Sequence, residues 1–179
     1  QRQMCIRDSI LPGHVSTIIG MKPYEFLAKK YGIPGVITGF EAVDVLQGVA
    51  MIMRQLHEGR AEIEIAYTRG VAPEGNQVAV AAINEVFRTV DATWRGLGVI
   101  PGSGYAIRPE FAEFDAFQRF EPAVEPTQEP KGCRCGDVLR GMMAPNECPL
   151  FRKVCTPENP VGPCMVSSEG SCAAYFRYL

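Results

Sequence analysis

Between Ile6 and Gly132 the chain contains no cysteine, although seven occur in its 179 residues. Cysteine used as a small apolar filler would be scattered through that stretch. Its absence there excludes that use and confines sulfur chemistry to one place. A basic surplus is also missing: 18 Lys and Arg against 20 Asp and Glu leave a formal charge of −2, which excludes a binder that works by neutralising nucleic-acid phosphates. No apolar run approaches the roughly 20 residues of a membrane-spanning helix. Residues 1–9, QRQMCIRDS, lack the apolar segment of a secretory signal. These absences predict a cytoplasmic protein with no membrane or nucleic-acid partner. In that compartment thiols stay reduced, so clustered cysteines serve as metal ligands or redox groups before structural disulfides. Residues 1–9 also have no periodicity and run directly into a strand end, so they read as a non-native leader, and Cys5 is set aside with them. The remainder begins in mid-fold, which predicts a fragment.

The chain that follows alternates strand and helix. Ile10-Leu11 reads as the end of a buried strand, Pro12 to Ser16 as a tight loop, and Ser16 as the cap of a short helix. A second helix starts at Pro23 and stops at Gly32. Val36 to Gly39 reads as a buried strand. Residues 41–58 form the clearest helix, with Ala42, Val45, Leu46, Val49, Ile52, Met53 and Leu56 on one apolar face and Gly59 at its end. Residues 60–69 alternate as a half-exposed edge strand. Residues 76–90 read as a third long helix, residues 94–100 as a loop entering a short strand, and Pro101 to Gly104 as a turn. This is the order of βαβ units, so the predicted class is α/β, with a partly parallel sheet flanked by helices over residues 10–120. Phe111, Phe114, Phe117 and Phe120 recur every three residues, as on a short helix packed against something. Residues 121–131, rich in proline and acid, read as a linker. A small irregular and helical Cys-rich domain fills 132–179.

Six cysteines lie in that last segment: Cys133, Cys135, Cys148, Cys155, Cys164 and Cys172. The prolines between them break regular structure, so something covalent or coordinate must hold the segment together. A structural zinc site prefers two C-x₂₋₄-C knuckles, and none is present. A three-disulfide scaffold needs an oxidising compartment. An iron–sulfur cluster accepts four thiolates at irregular spacing and leaves two cysteines over as a redox pair. A protein-interaction module with a structural zinc site is the alternative from another class, and a free-standing disulfide reductase is a third.

The motifs GCRCGDVLRG, ECPLF-x-x-x-CTPENPVG-x-CMVSSEG-x-CAAY, PGHVSTIIG, GF-x-x-VDVLQG and WRGLG resemble the C-terminal half of the HypD family of hydrogenase maturation proteins, over Leu11 to Leu179. The resemblance implies two similar α/β domains and a smaller domain with a 4Fe-4S cluster. It implies a scaffold role in assembling the Fe(CN)2CO unit of NiFe-hydrogenase, with a HypC-type chaperone and a HypE-type cyanide donor as partners. It also implies Cys133, Cys148, Cys155 and Cys172 as cluster ligands and Cys135 with Cys164 as the redox pair, as in the similar environment of ferredoxin:thioredoxin reductase. Spacing alone leaves Cys133 interchangeable with Cys135, and Cys164 with Cys172. The family's N-terminal cysteine motifs, which handle the iron under assembly, are not in this chain, so alone it is not expected to build the cofactor.

Other residues carry a functional and a plain reading side by side. His14 follows a strand end, where α/β folds bind ligands, and the resemblance puts its motif in the family's central cleft; otherwise it is a loop histidine bonded to backbone. Glu41 and Asp44 either face that cleft or complement a helix N-terminus. Glu169, close to Cys172, is either a proton donor beside the thiol pair or a helix-start charge. His57 reads as surface, and Glu74-Gly75-Asn76 as a turn with a cap. The pairs Gly96/Gly98 and Gly102/Gly104 lack the spacing of a phosphate cradle and read as turns.

Overall fold

The computed structural model describes residues 8–94, 96–123 and 130–179. The leader read over 1–9 and the linker read over 121–131 lie largely outside the described residues. Two compact units are present, one ending at Val86 and the other spanning Phe87–Leu179.

The first unit is a parallel three-stranded sheet in the order β1-β2-β3, with β1 at Ser9–Pro12, β2 at Gly35–Thr38 and β3 at Ile63–Ile65. Helices α1 (Gly13–Ile19), α2 (Glu25–Tyr31), α3 (Ala42–Glu58) and α4 (Gln77–Val86) connect or follow the strands. The central strand GVIT is buried throughout, as its unbroken apolar character requires of a parallel strand covered on both faces. β3 is an edge strand, as its alternation predicts. Gly32 and Gly59 end α2 and α3 in the left-handed conformation that glycine adopts without strain.

Three local expectations fail in this unit. Helix α1 begins directly at Gly13, so Ser16 is not a cap; it is buried inside the helix and donates its hydroxyl to the Pro12 carbonyl at 2.6 Å. The apolar stripe of α3 does not face the sheet. Of its seven residues only Ile52 is buried, while Leu46 and Met53 are 68% and 59% exposed. The sheet side is instead Asp44, Gly48, Ile52 and Gln55. Gly48 lets the helix come down onto Thr38. Gln55 donates from Nε2 to Glu64 Oε2 and accepts the Glu62 N–H at Oε1, both at 2.8 Å, which ties α3 to β3. Polar ties and close approach replace the apolar contact that periodicity predicts. Third, the helix predicted over 76–90 stops at Val86.

Phe87 starts the second unit. Residues 87–94 form β4 (Phe87–Trp94), which pairs antiparallel with β5 (Gly98–Ile107). Phe87, Thr89, Val90, Thr93 and Trp94 are strand formers, and pairing with β5 outweighs the helical spacing. Pro101 to Gly104, predicted as a turn, lies inside β5 beside a register shift between Val90 and Ala92. Proline is tolerated at such an irregularity, where the Gly102 N–H bonds Asp91 Oδ1 at 2.8 Å. A 3-10 turn at Pro109–Phe114 and α5 (Ala116–Phe120) follow. The spaced phenylalanines do form short helices there, but Phe114, Phe117 and Phe120 are exposed instead of packed.

The last 50 residues contain α6 (Cys135–Leu139), a 3-10 turn at Pro145–Glu147, α7 (Pro163–Val166) and α8 (Ser171–Tyr178). Pro145 and Pro163 sit in the first helical turn, where a missing N–H costs nothing. Arg152 adopts a positive φ of 57°. Its guanidinium lies over the Phe151 and Phe176 rings and donates to the Phe176 carbonyl at 3.1 Å, pinning α8 to the loop between Cys148 and Cys155. No helix among the described residues is long and apolar enough to cross a membrane.

Candidate sulfur centre

The core of this last segment is built of sulfur. Cys135, Cys155, Cys164 and Cys172 are buried with Val138, Phe151, Met165 and Ala173, and Cys133 and Cys148 pack against them from partly buried positions. All six cysteines line one small pocket, which Val138, Leu150, Phe151 and Met165 also line. Each reaches it from a different local device. Cys133 precedes α6, Cys135 opens it, Cys148 caps the end of the 3-10 turn, Cys155 closes the following loop, Cys164 lies in α7 and Cys172 lies in the first turn of α8.

Within the pocket the sulfurs divide four and two. Cys135 and Cys164 are joined in a disulfide, with their Cα atoms 6.2 Å apart. Cys133, Cys148, Cys155 and Cys172 are free thiols. Burial first, then the neighbouring Cys148, Cys155 and Cys133, push the Cys172 thiol up to about 11. Burial thus disfavours charge on the Cys172 sulfur, and a bound cationic centre would relieve that penalty.

Two further features suit thiolate coordination. The Val161 N–H donates to Cys155 Sγ at 3.4 Å, an outer contact that orients the sulfur. Gly162 is buried, and a Cβ there would lie 2.5 Å from Cys133 Sγ, so only glycine leaves that sulfur room. Among the described residues no three His, Cys, Asp or Glu side chains already stand at metal-ligating spacing. The fit rests on the donor set, four soft thiols around one apolar cavity, which suits zinc or an iron–sulfur cluster and not a hard cation.

Glu169 lies in the loop between α7 and α8, exposed, its own N–H bonded to Ser167 Oγ at 3.2 Å; it does not line the pocket. Neither Val161 nor Gly162 is singled out by sequence reasoning. The signal available was their place between two cysteines, in Pro160-Val161-Gly162-Pro163.

His14 belongs to the first unit, at the carboxyl end of β1. It is exposed, and its ring lies 5.6 Å from that of Phe40. Phe40 meets Tyr67 edge-on at 6.4 Å, and the Arg69 guanidinium covers Tyr67 at 4.6 Å. Arg69 in turn makes a two-pronged bond to buried Asp44, 2.6 Å at each oxygen, and lies 3.5 Å from Glu41. That bond holds the Asp44 carboxyl below its usual range. His14, Phe40, Glu41, Tyr67 and Arg69 thus gather at the carboxyl ends of the three strands, where an open α/β sheet binds ligands. Asp44 and Glu41, left between two readings by the sequence, both face Arg69. Phe40, Tyr67 and Arg69 were missed, although they lie two, two and four residues past the ends of β2 and β3.

The family model described as HypD, hydrogenase formation hypA family, matches residues 1–179. The chain is 51% identical over 168 residues to a hydrogenase maturation factor HypD of Cupriavidus necator, covering 93% of this chain and 44% of that protein. It is 47% identical over 169 residues to a putative hydrogenase expression/formation protein of Methanocaldococcus jannaschii, covering 94% and 47%. With the hydrogenase maturation factor HypD of Rhodobacter capsulatus it shares 49% over 175 residues, covering 93% and 46%. The chain therefore spans a little under half the length of these relatives.

Proposed function

Because this chain belongs to the HypD family, we propose that it is the portion of a hydrogenase maturation factor that carries the redox centre. Cys133, Cys148, Cys155 and Cys172 hold a 4Fe-4S cluster, and Cys135 with Cys164 form the exchangeable pair beside it. The observation that carries this reading is the division of six sulfurs around one pocket into a disulfide and four free thiols. A cluster bound there supplies electrons one at a time. The protein's own residues do the rest. Val161 N–H and Gly162 orient and make room for ligand sulfurs. Val138, Leu150, Phe151 and Met165 keep water from the pocket. Reduction of the Cys135–Cys164 bond takes two electrons and two protons and yields two thiols.

In the whole protein these thiols reset the sulfur groups on which the Fe(CN)2CO unit is assembled, with a HypC-type chaperone and a HypE-type cyanide donor as partners. His14, aligned by Phe40, contacts the iron unit or the chaperone at the strand ends. Its replacement by alanine in the full-length protein is expected to stop hydrogenase maturation, and normal maturation would remove that role.

The deciding experiment is anaerobic purification of this chain with metal and sulfide analysis. Brown protein containing about four iron and four sulfide per chain, with a paramagnetic signal on one-electron reduction, is the expected result. Colourless protein with one zinc per chain would replace the redox reading with a structural zinc module.

A further inference from the structure

In the second unit two glycines distant in sequence meet backbone to backbone. Gly96, in the turn between β4 and β5, has a φ of 80°. Gly136 is the second residue of α6, bonded directly to Cys135. A Cβ on Gly136 would overlap the Gly96 carbonyl oxygen, and a Cβ on Gly96 would sit 3.2 Å from the Gly136 nitrogen and 3.3 Å from its Cα. No side chain fits between these backbones. The hairpin turn thus rests on the first turn of α6, next to the cysteine that is bonded to Cys164.

We propose that Gly96 and Gly136 are positioning residues for the redox pair, forming a latch that couples the hairpin to the thiol–disulfide state of Cys135. The coupling follows from packing. When the sulfur–sulfur bond opens, the two sulfurs part to non-bonded distance, and both cysteines are buried, so the parting moves backbone. The backbone at Cys135 cannot shift toward the hairpin without displacing Gly96. An equilibrium at one end of such a contact biases the other end by the same factor. The inference rests on the redox-pair reading of Cys135 and Cys164.

Trp94 reports on the latch. It is the only tryptophan in the chain and stands two residues before Gly96. Its Nε1 donates to Ser103 Oγ at 2.7 Å, and Ser103 Oγ donates to the Ile100 carbonyl at 2.7 Å, which fixes the indole to the hairpin.

The test equilibrates the full chain in buffers of reduced and oxidised dithiothreitol. Reduction breaks the Cys135–Cys164 bond and forms two thiols, while dithiothreitol closes to its cyclic disulfide. Thiol labelling of the two cysteines and Trp94 emission are read in parallel. The expected result is a change in emission with the same midpoint as labelling. Gly136→Ala should shift the disulfide–dithiol equilibrium by at least about fivefold and abolish the Trp94 response. Gly136 has no positive φ, and alanine is the better helix former, so the substitution strains nothing except the contact with Gly96. The Cys135→Ser, Cys164→Ser double variant should show the emission of the reduced protein, and it serves if Gly136→Ala does not fold. Failure to find any Cys135–Cys164 disulfide overturns both the redox-pair reading and the latch. A disulfide that forms and titrates while Trp94 emission stays constant, or an equilibrium in Gly136→Ala shifted less than fivefold, overturns the latch alone.

Discussion

The first unit and the Cys-rich segment of the second solve the same problem by different means. In the first, a buried parallel strand carries Val36 and Ile37 at no exposure, and backbone pairing on both sides satisfies its polar groups. Apolar burial supplies the cohesion, and Gln55 and Asp44 fix the position of α3. In the second, residues 130–179 have short helices, no extended sheet and a core in which half of the eight buried residues are cysteine. One disulfide, Cys135–Cys164, crosses that core. The lesson is that one chain combines a core of aliphatic strand residues with a core half made of cysteine.

The contrast can be broken most forcefully at the sulfurs. Replacing Cys148 and Cys155 by serine should unfold the module while leaving the sheet intact, because coordinate bonds to a structural metal can supply on the order of 10 kcal/mol of folding energy. Limited proteolysis should then cut freely within residues 130–179 and spare residues 9–86; equal protection of both regions would show that packing alone supports the module. The converse change is Gln55→Ala, which leaves the Glu62 N–H and Glu64 carboxylate without their buried partner. It should cost the sheet unit about 3 kcal/mol in urea unfolding and leave the optical signature of the sulfur centre unaltered.

A smaller effect depends on pH. Arg69 lowers the Asp44 carboxyl, so the stabilisation exists above the usual carboxylate range and disappears as pH falls through the lower folded value. Asp44→Asn should flatten the acid limb, measured as the denaturation midpoint between pH 5 and pH 2. The smallest change is expected from Glu169→Gln. The side chain is exposed and outside the pocket, so stability should move by no more than about 0.5 kcal/mol; a marked loss in the rate of disulfide reduction would instead support its role as proton donor.

Much of the first unit was legible because its signals are local. The βαβ order, the glycine stop after α3 and the buried run at β2 each follow from a few neighbouring residues. The α3 interface was not legible. Periodicity marks Val45, Leu46, Val49 and Met53 as the inward face, whereas the sheet selects the small and polar side because Gly48 permits close approach and Gln55 finds partners 7 and 9 residues away. The β4–β5 hairpin was hidden for a related reason. Val86, Phe87 and Val90 satisfy a helical period, and only the pairing with residues 98–107 reveals the strand. At the sulfur centre, the clustering of six cysteines was plain from spacing. Their division came from family resemblance, and the contributions of Val161 and Gly162 depend on three-dimensional proximity that spacing does not encode.

The Arg152 clamp has a practical consequence for handling the protein. The guanidinium grips a carbonyl only three residues from Leu179, and the rings it covers floor the sulfur core. A purification handle appended after Leu179 therefore extends from an exposed residue and leaves the grip whole. Trimming the chain by its final four residues would remove Phe176, and the loss would register first in the keeping quality of the cysteines: faster oxidation on storage, before any change in the sheet.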